Sequence, residues 1–508
     1  MTFTRRNALK LLAAATPAIA FNHRLFGQQL KIAPGRYQGT RESLRTYQPP
    51  DWFRDAKFGI WAHWGPQSAI EDGDWYARNM YIQGSEQYKY HVEHYGHPSK
   101  VGYKDVVDVW KATKWDPDHL MSLYKNAGAK YFVSMAVHHD NFDLWNSKHT
   151  RWNAVRTGPK QDVVGTWKRA AQKQGLKFGV SEHLWISYKW FAVSHGADKS
   201  GALAGVPYDG TDPKFADLYH DANTVQFVNE KLAFTDDDIT LQWKQHYFDR
   251  IQDLVDNYKP DLLYTDGHLP FEEIGLSMVA NLYNQNPQAV YTSKRAMDCA
   301  VGTCVLDRER GVADDIWPNP WQTDTCIGQW HYKRGQQYKS PKKVIDMLVD
   351  IVSKNGNLLL NIPLPNSGEP DSQELAILAE ITKWMAVNSE GIYGTRPWKI
   401  YGDGPGSKVA VATEGFNESK KPELSADDLR FTTKGNVLYA FMMGWPQGEA
   451  LLGPLGTASA QKPGKIANVE MLGFGGKLSW KQEETGLRVR MPEQRPSDYA
   501  VTLKATLA

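Results

Sequence analysis

Between about residues 50 and 395, short apolar runs alternate with longer stretches whose apolar positions recur at helical spacing. Short continuous apolar runs predict buried parallel strands, and here they cover residues 57–62, 130–137, 176–180, 262–264 and 357–362. The helical stretches between them include residues 118–127, 165–174, 241–258 and 342–353. Strands and helices that alternate at this spacing predict βα units around a parallel sheet.

Polar side chains follow these runs at their carboxyl ends. His63 follows the first run, His138 and His139 follow the second, His183 the third and Asp266 the fourth. A (β/α)8 barrel gathers its active site at this end of its strands. A doubly wound sheet also places ligands there, but the sequence lacks the Gly-rich phosphate turn typical of that fold. We therefore predict an α/β fold of the (β/α)8, TIM-like type.

The barrel is expected over residues 21–395, and the pattern changes after it. Short alternating runs separated by turns predict an antiparallel β-sandwich over residues 396–508. The runs cover residues 409–412, 429–432, 437–441, 487–490 and 499–503. Because this domain carries no cluster of acids or histidines, we expect it to support the barrel, with a minor part in shaping the cleft. The polar, Gly-rich segment 195–240 predicts an insertion beside the site.

Residues 1–20 have the features of an export signal. Arg5 and Arg6 precede a short Ala/Leu-rich run that ends in the small-x-small pattern of residues 18–20. The paired arginines favour the twin-arginine (Tat) route, and a Sec signal with a chance arginine pair is the alternative. We expect a periplasmic or secreted mature protein that begins near Phe21. It should not span a membrane, because no later stretch approaches the length of apolar sequence that a span requires.

Composition narrows the function. The 59 basic and 57 acidic residues are well mixed and give a net charge of +2, so a nucleic acid is not an expected partner. The 19 tryptophans favour a sugar-binding cleft, because aromatic rings stack on the apolar face of a pyranose; an aromatic-rich core is the alternative. The three cysteines, Cys299, Cys304 and Cys326, lack the spacing of a zinc site. Whether Cys299 pairs with Cys304 is left open.

Sugar hydrolysis needs two carboxylates that face one glycosidic bond. Asp266, at the end of a strand, is the first candidate, and Glu309 is the second. Arg308 and Arg310 flank Glu309 and would favour its ionised form, so burial must raise its pKa if it is to act as an acid. A surface ion pair is the alternative for Glu309. The competing acids are Glu182, Glu272 and Glu273.

The strand-end histidines His63, His138, His139 and His183 have two interpretations. Neutral imidazoles bind sugar hydroxyls, and imidazole is also a common ligand of catalytic zinc. The sequence has no H-x-H pair on one strand, and adjacent strand residues point to opposite faces. We therefore expect a sugar-binding role and no metal or other cofactor, with a metal-dependent barrel hydrolase as the alternative.

Several long motifs resemble glycoside hydrolase family 29, the α-L-fucosidases. They read WFRDAKFGIWAHWG at 52–65, DWYARNMY at 74–81, HHD at 138–140, LYTDG at 263–267 and KNGNLLLNI at 354–362. The resemblance spans roughly residues 40–395. It implies a retaining exo-glycosidase on a (β/α)8-type barrel with a C-terminal β-sandwich, acting on terminal α-L-fucosyl units of an oligosaccharide or polysaccharide.

The resemblance also implies roles for individual residues. Asp266 corresponds to the nucleophile, and Arg308 falls where the family commonly has a site arginine. The positions that correspond to sugar-binding residues are His63, Trp75, His138 and His139. We add His183 as a hydroxyl-binding residue, and we expect Trp145 and Tyr264 to line the apolar side of the sugar together with Trp75.

The chain departs from the family pattern at three positions. Gln322 stands where many relatives have a glutamate, which in some of them is the acid/base, and an amide cannot protonate a leaving group. Glu309 is therefore our hypothesis for the acid/base, and a catalytically inactive fucose-binding homologue is the alternative. Tyr264 replaces a common tryptophan, and Asp74 stands where glutamate is common.

Overall fold

The computed structural model describes residues 30–221, 239–299, 302–409, 416–420 and 422–508. Eight parallel strands form a closed barrel in sequential order. They are β1 (Phe58–Ala62), β2 (Tyr131–Val137), β3 (Lys177–Glu182), β4 (Leu262–Thr265), β5 (Val290–Ser293), β6 (Val305–Asp307), β7 (Trp321–Cys326) and β8 (Gly356–Asn361). The predicted barrel is confirmed. The predicted export signal lies outside the described residues, and no described helix is long and apolar enough to cross a membrane.

Helices connect the strands and cover the barrel. They are α1 (Arg41–Leu44), α2 (Asp51–Ala56), α3 (Tyr76–Asn79), α4 (Glu86–His94), α5 (Tyr103–Val106), α6 (Pro117–Asn126), α7 (Val163–Lys173), α8 (Ser187–Trp190), α9 (Ala216–Tyr219), α10 (Leu241–Tyr258), α11 (Glu273–Gln285), α12 (Ala296–Cys299), α13 (Pro341–Ser353) and α14 (Ser372–Asn388). Local sequence sets their ends. The Thr240 side chain caps α10, which stops at Lys259 in a left-handed conformation before Pro260.

Three barrel strands were not among the predicted runs. β5 and β6 have only four and three residues, and β7 reads WQTDTC, in which polar residues predominate. All six residues of β7 are buried, and Gln322 accepts from the Tyr131 hydroxyl at 2.9 Å and donates to Asp307 at 2.8 Å. Hydrogen bonds inside the barrel thus replace the apolar packing that a sequence pattern detects.

The described part of the predicted insertion continues the connection after β3, and residues 222–238 lie outside the described residues. Close to the start of this connection, the Trp190 ring lies 5.7 Å from the His139 ring. The connection therefore reaches the carboxyl end of the barrel. Cys299 and Cys304 form a disulfide between α12 and β6.

The C-terminal part of the chain forms two antiparallel sheets, as predicted. They are built from β9 (Arg396–Asp403), β10 (Leu429–Lys434), β11 (Val437–Met442), β12 (Glu449–Leu452), β13 (Ile466–Met471), β14 (Ser479–Gln482), β15 (Leu487–Arg490) and β16 (Val501–Leu507). The larger sheet has the order β13-β16-β11-β10-β9, and the smaller has β12-β15-β14. Phe431 and Leu438 of one sheet share an apolar core with Leu487 and Val489 of the other. The predicted run at 409–412 falls mostly outside the described residues.

A buried ion-pair network attaches these sheets to the barrel. Arg430 of β10 donates through Nε to Asp350 Oδ1 at 2.6 Å, and Lys354 Nζ lies 2.9 Å from Asp350 Oδ2. Asp350 belongs to α13, the helix that leads into β8. The network therefore fixes the sheets to a helix that packs against the barrel wall.

A second buried pair holds the loop that follows β2. Arg250 of α10 donates to both carboxylate oxygens of Asp143, at 2.5 and 3.2 Å, and also bonds the Asn141 side chain. Arg250 and Asp143 are both completely buried. Because His138 and His139 begin this loop, the pair also fixes the position of two site histidines.

We predict that Arg250→Met lowers the free energy of unfolding of the barrel by about 3–5 kcal/mol, because it leaves the Asp143 carboxylate buried without its partner. The measurement is unfolding in urea, followed by tryptophan fluorescence. Arg151→Met is the matched control: Arg151 pairs with Asp217 at the surface, where such pairs contribute about 0–1 kcal/mol. Equal effects of the two substitutions would contradict the prediction.

Candidate active site

A cavity of about 600 Å³ opens at the carboxyl ends of the barrel strands. Its volume is within the range of small-molecule binding sites. It is lined by Trp61, His63, Asp74, Trp75, His138, His139, His183, Tyr264, Asp266, Lys294, Glu309, Arg310, Asp324, Gln329, Trp330 and Phe416. Most of the residues predicted from the sequence thus meet in one place.

Three consecutive strands deliver the central charged groups. Asp266 follows β4, Lys294 follows β5 and Glu309 follows β6. Lys294 Nζ lies 2.5 Å from Asp266 Oδ1 and 2.5 Å from Glu309 Oε2. Because both oxygens contact the same nitrogen at this distance, they lie no more than 5 Å apart. The two carboxyl groups therefore face a common point in the cavity.

Asp266 is held in its ionised form. Burial alone would raise the pKa of its carboxyl group, but the charge on Lys294 and hydrogen bonds from His139 and His183 outweigh it, and the pKa lies well below its usual value. His139 Nε2 lies 3.3 Å and His183 Nδ1 lies 3.1 Å from Asp266 Oδ2. Asp266 is thus a carboxylate at any pH near neutrality.

Glu309 differs from Asp266. Burial raises its pKa to about 7, with Lys294 opposing the shift and the neighbouring carboxylates adding to it. The pKa of Lys294 would be lowered by burial, but the surrounding carboxylates raise it well above its usual value. A cation thus joins one ionised carboxylate to one carboxyl group that gains and loses its proton near pH 7. Two acids with pKa values so far apart are suited to separate roles.

The histidines form one wall of the cavity. Burial and the neighbouring histidines lower the pKa values of His63 and His138 far below the usual range, and burial lowers that of His183 to about 4. These rings are therefore neutral near pH 7. His139 donates through Nδ1 to the His183 carbonyl oxygen at 2.7 Å, since a carbonyl only accepts. A neutral imidazole with free nitrogens, as at His63, suits the recognition of hydroxyl groups.

Aromatic rings form the rest of the wall. Trp75 and Tyr264 line the cavity together with Trp61 and Trp330. The Tyr264 hydroxyl donates to Asp324 Oδ2 at 2.9 Å, so the ring is held in place by its polar end. Trp75 has a φ of 62°, a left-handed conformation that a bulky residue rarely adopts and that is typical of functional sites.

Two predicted site residues lie away from the cavity. Trp145 is fully buried and donates through Nε1 to Asp253 on α10 at 3.0 Å. The Arg308 guanidinium lies over the Trp317 ring, 4.6 Å from its centre. Arg310 lines the cavity in its place. Glu309 and Arg310 lie in the turn that follows β6, where Arg310 has a left-handed φ of 44°, so strand alternation ends at Arg308 and both later side chains reach the cavity.

The competing acids also lie elsewhere. The Glu272 side chain is 61% exposed and pairs with Arg41 at 2.7 Å, and Glu273 begins α11. Glu182 is fully buried, where it accepts from the Tyr247 hydroxyl at 2.9 Å. None of these three described residues lines the cavity, which favours Glu309.

Sequence reasoning missed several cavity residues. Lys294 and Asp324 belong to the unpredicted strands β5 and β7 or to their ends, so recognising those strands would have drawn attention to both. Phe416 comes from the C-terminal part of the chain, and no local signal marks it. The Asn417 amide donates to the Arg310 carbonyl oxygen at 3.0 Å, which brings Phe416 to the rim.

One group of side chains has the composition of a metal site. His63, Asp74, His138 and His331 offer ligand atoms that all lie within 4.8 Å of one another. His138, His139 and His183 form a second such group, in which His139 and His183 already contact Asp266.

Comparison with known proteins shows the family of this chain. The family model for α-L-fucosidase matches residues 25–390, and the model for the α-L-fucosidase C-terminal domain matches residues 422–506. Rat tissue α-L-fucosidase is 27% identical over 500 residues, which cover 94% of each chain. Human plasma α-L-fucosidase is 28% identical over 496 residues, covering 93% of this chain and 92% of the human protein.

Solved structures show the same likeness. The Thermotoga maritima α-fucosidase in complex with a mechanism-based inhibitor is 26% identical, with a TM-score of 0.71, and the match covers 93% of this chain and all of that one. Its complex with fucose matches at 27% identity with a TM-score of 0.69. The chain therefore belongs to the α-L-fucosidase family, glycoside hydrolase family 29.

Proposed function

We propose that this protein hydrolyses terminal α-L-fucosyl residues of glycans with retention of configuration. The observation that carries the proposal is the pair of carboxyl groups joined by Lys294, one ionised and one whose raised pKa lets it gain and lose a proton near pH 7. Retaining glycosidases hold their two carboxyl groups about 5–5.5 Å apart, whereas inverting enzymes separate them by about 6.5–9.5 Å. The upper limit of 5 Å between the two bridged oxygens supports the retaining geometry.

In the first step, a carboxylate oxygen of Asp266 forms a bond to the anomeric carbon as the bond to the glycosidic oxygen breaks. Glu309 gives its proton to that oxygen, and the alcohol leaves. In the second step, Glu309 takes a proton from water, and the water oxygen displaces Asp266 from the anomeric carbon. Two inversions at this carbon give net retention.

The walls of the cavity suit a deoxy sugar. We propose that His63, His138, His139 and His183 bind the ring hydroxyls, and that Trp75 and Tyr264 face the apolar side of the ring with its methyl group. Gln322, which motivates the alternative of an inactive fucose binder, lies inside the barrel wall and away from the cavity. Its amide therefore has no bearing on proton transfer in the cavity.

We also propose that the protein acts outside the cytoplasm. The support is the sequence of residues 1–20, with its paired arginines and small-x-small end. The substrate is then a fucosylated oligosaccharide or polysaccharide met in the periplasm or beyond the cell.

The roles of the two acids are tested by azide rescue with 4-nitrophenyl α-L-fucoside. Asp266→Ala should lose activity, and azide should restore turnover by direct attack, giving the inverted β-fucosyl azide. Glu309→Ala should lose about 10²–10⁴-fold in rate on fucosides with poor leaving groups. Azide should rescue it through the covalent intermediate, giving the retained α-fucosyl azide.

Glu272→Ala is the matched control, because Glu272 is an exposed glutamate outside the cavity. Its activity should equal that of the wild type. An unaffected Glu309→Ala variant, or the same azide anomer from both variants, would contradict the assignment.

The pH profile tests the charge arrangement. Because Glu309 must be protonated, kcat/KM should fall as pH rises through about 7, while Asp266 stays ionised far into the acid range. Lys294→Met removes a charge that lowers both pKa values, so both limbs of the profile should move to higher pH by about 1–3 units. Lys173→Met, at a surface ion pair, is the control and should leave the profile unchanged. An unmoved profile for Lys294→Met would contradict this account.

Phe416 tests the contribution of the C-terminal part of the chain. Its side chain lines the cavity and is 61% exposed, so we expect it to contact the group attached to fucose. Phe416→Ala should raise KM for a fucosylated oligosaccharide about threefold to tenfold, since an aromatic contact contributes about 0.5–1.5 kcal/mol. KM for α-L-fucosyl fluoride, which has no attached sugar, should not change. Leu451→Ala, at another exposed apolar residue, is the control, and an equal effect on both substrates would refute the contact.

A further inference from the structure

Three histidine rings form a triangle at the inner end of the cavity. His63 follows β1, His138 follows β2, and His331 lies between β7 and α13. Their ring centres are 4.6–4.9 Å apart, and their planes cross at 74–84°. None of the three is more than 2% exposed. Each ring offers a nitrogen, and these nitrogens lie within 4.8 Å of one another.

His331 has the hydrogen-bond pattern of a metal-binding histidine. Its Nδ1 lies 2.7 Å from Asp74 Oδ1, and because a carboxylate only accepts, Nδ1 carries the hydrogen. In the neutral ring Nε2 then holds the lone pair, and it has no hydrogen-bond partner among the described residues. A carboxylate behind a histidine in this way is the usual support of a metal ligand.

His63 is equally available. Neither of its ring nitrogens has a hydrogen-bond partner in the described part of the chain, although the ring is almost completely buried. A buried polar group without a partner is costly and calls for an explanation. A sugar hydroxyl is one partner for it, and a cation is another.

The orientation of the Gln67 side-chain amide determines which nitrogen of His138 carries the hydrogen, and so whether Nε2 is available as a metal ligand. The Gln67 amide nitrogen lies 2.7 Å from His138 Nδ1, and the Gln67 amide oxygen has no partner among the described residues. A half-turn of the amide places the oxygen there instead, where it accepts a hydrogen from Nδ1. His138 Nε2 then holds a free lone pair, as His331 Nε2 does.

We propose that a divalent transition-metal cation, with Zn²⁺ as the representative ion, binds the imidazoles of His63, His138 and His331, supported by Asp74. Three imidazoles are a common ligand set for zinc, and they leave a coordination position for water on the side of the cavity. All four side chains offer ligand atoms within 4.8 Å of one another, so only small movements are needed. His139 and His183 take no part, because Asp266 holds them.

The consequence is inhibition rather than catalysis. His63, His138 and Asp74 line the cavity that we assign to fucose, so the metal ion and the sugar exclude each other. Zn²⁺ should therefore raise the apparent KM without changing kcat, and a chelator should reverse the effect. Only this inhibitory consequence rests on the proposed function; metal binding itself does not.

The test is calorimetric titration of the full-length protein with Zn²⁺, which needs no activity. The wild type should bind one ion at this site. His331→Gln should weaken binding by at least about 100-fold, since loss of even an outer-shell partner costs about 10–100-fold, and Asp74→Asn should fall within that range. His94→Gln, at an exposed histidine of α4, is the control and should bind like the wild type.

Thermal unfolding of each variant shows whether it is folded, and Asp74→Asn, which keeps the shape of the side chain, covers the case in which His331→Gln does not fold. Visible absorption of bound Co²⁺ gives a second measure of the same site. The proposal is overturned if the wild type binds no Zn²⁺, if Asp74→Asn and His331→Gln bind like the wild type, or if saturating L-fucose leaves Zn²⁺ affinity unchanged while it binds the protein.

Discussion

The site depends on one ammonium group, that of Lys294, which lies between two carboxyl groups. Two carboxylates this close would repel strongly in a cavity of low dielectric constant, and the repulsion would drive both toward protonation. Lys294 Nζ lies at the same distance, 2.5 Å, from an oxygen of Asp266 and from one of Glu309. Only Asp266 is also contacted by the ring nitrogens of His139 and His183. The asymmetry of these two additional contacts decides which acid keeps the negative charge and which keeps the proton.

The barrel makes this arrangement possible because β4, β5 and β6 are neighbours with their carboxyl ends at one edge. Asp266 and Lys294 come directly after β4 and β5, and Glu309 comes two residues after the end of β6, so the three meet without long loops. Asp324 of β7 contacts the same group: it accepts a hydrogen bond from the Tyr264 hydroxyl, and its Oδ2 lies 3.9 Å from Lys294 Nζ. The polar character of β7, unusual for a buried strand, follows from this supporting role.

The apolar pattern predicted the five apolar barrel strands, the barrel and the antiparallel domain, and the strand-end rule found Asp266 and the four histidines. The apolar pattern did not predict β5, β6 or β7. Lys294 was therefore missed as well, because the strand-end rule applies only to strands that have been predicted. Trp145 and Arg308 show another limit, since composition identifies a suitable side chain but not the side to which it points. Phe416 reaches the cavity through contacts distant in sequence, which no local pattern records.

The histidine wall shows why a binding site for hydroxyl groups is also open to metal ions. A hydroxyl both donates and accepts, so the groups that bind it must hold lone pairs and hydrogens toward the cavity, and neutral imidazoles provide both. The Gln67 amide is able to stabilise either tautomer of His138, which makes that ring a donor to a sugar in one state and a ligand in the other. Asp74 fixes His331 in the tautomer with a lone pair facing the triangle. The feature that adapts this wall to a polyhydroxylated ring is thus the same one that brings ligand nitrogens of three buried rings within 4.8 Å of one another.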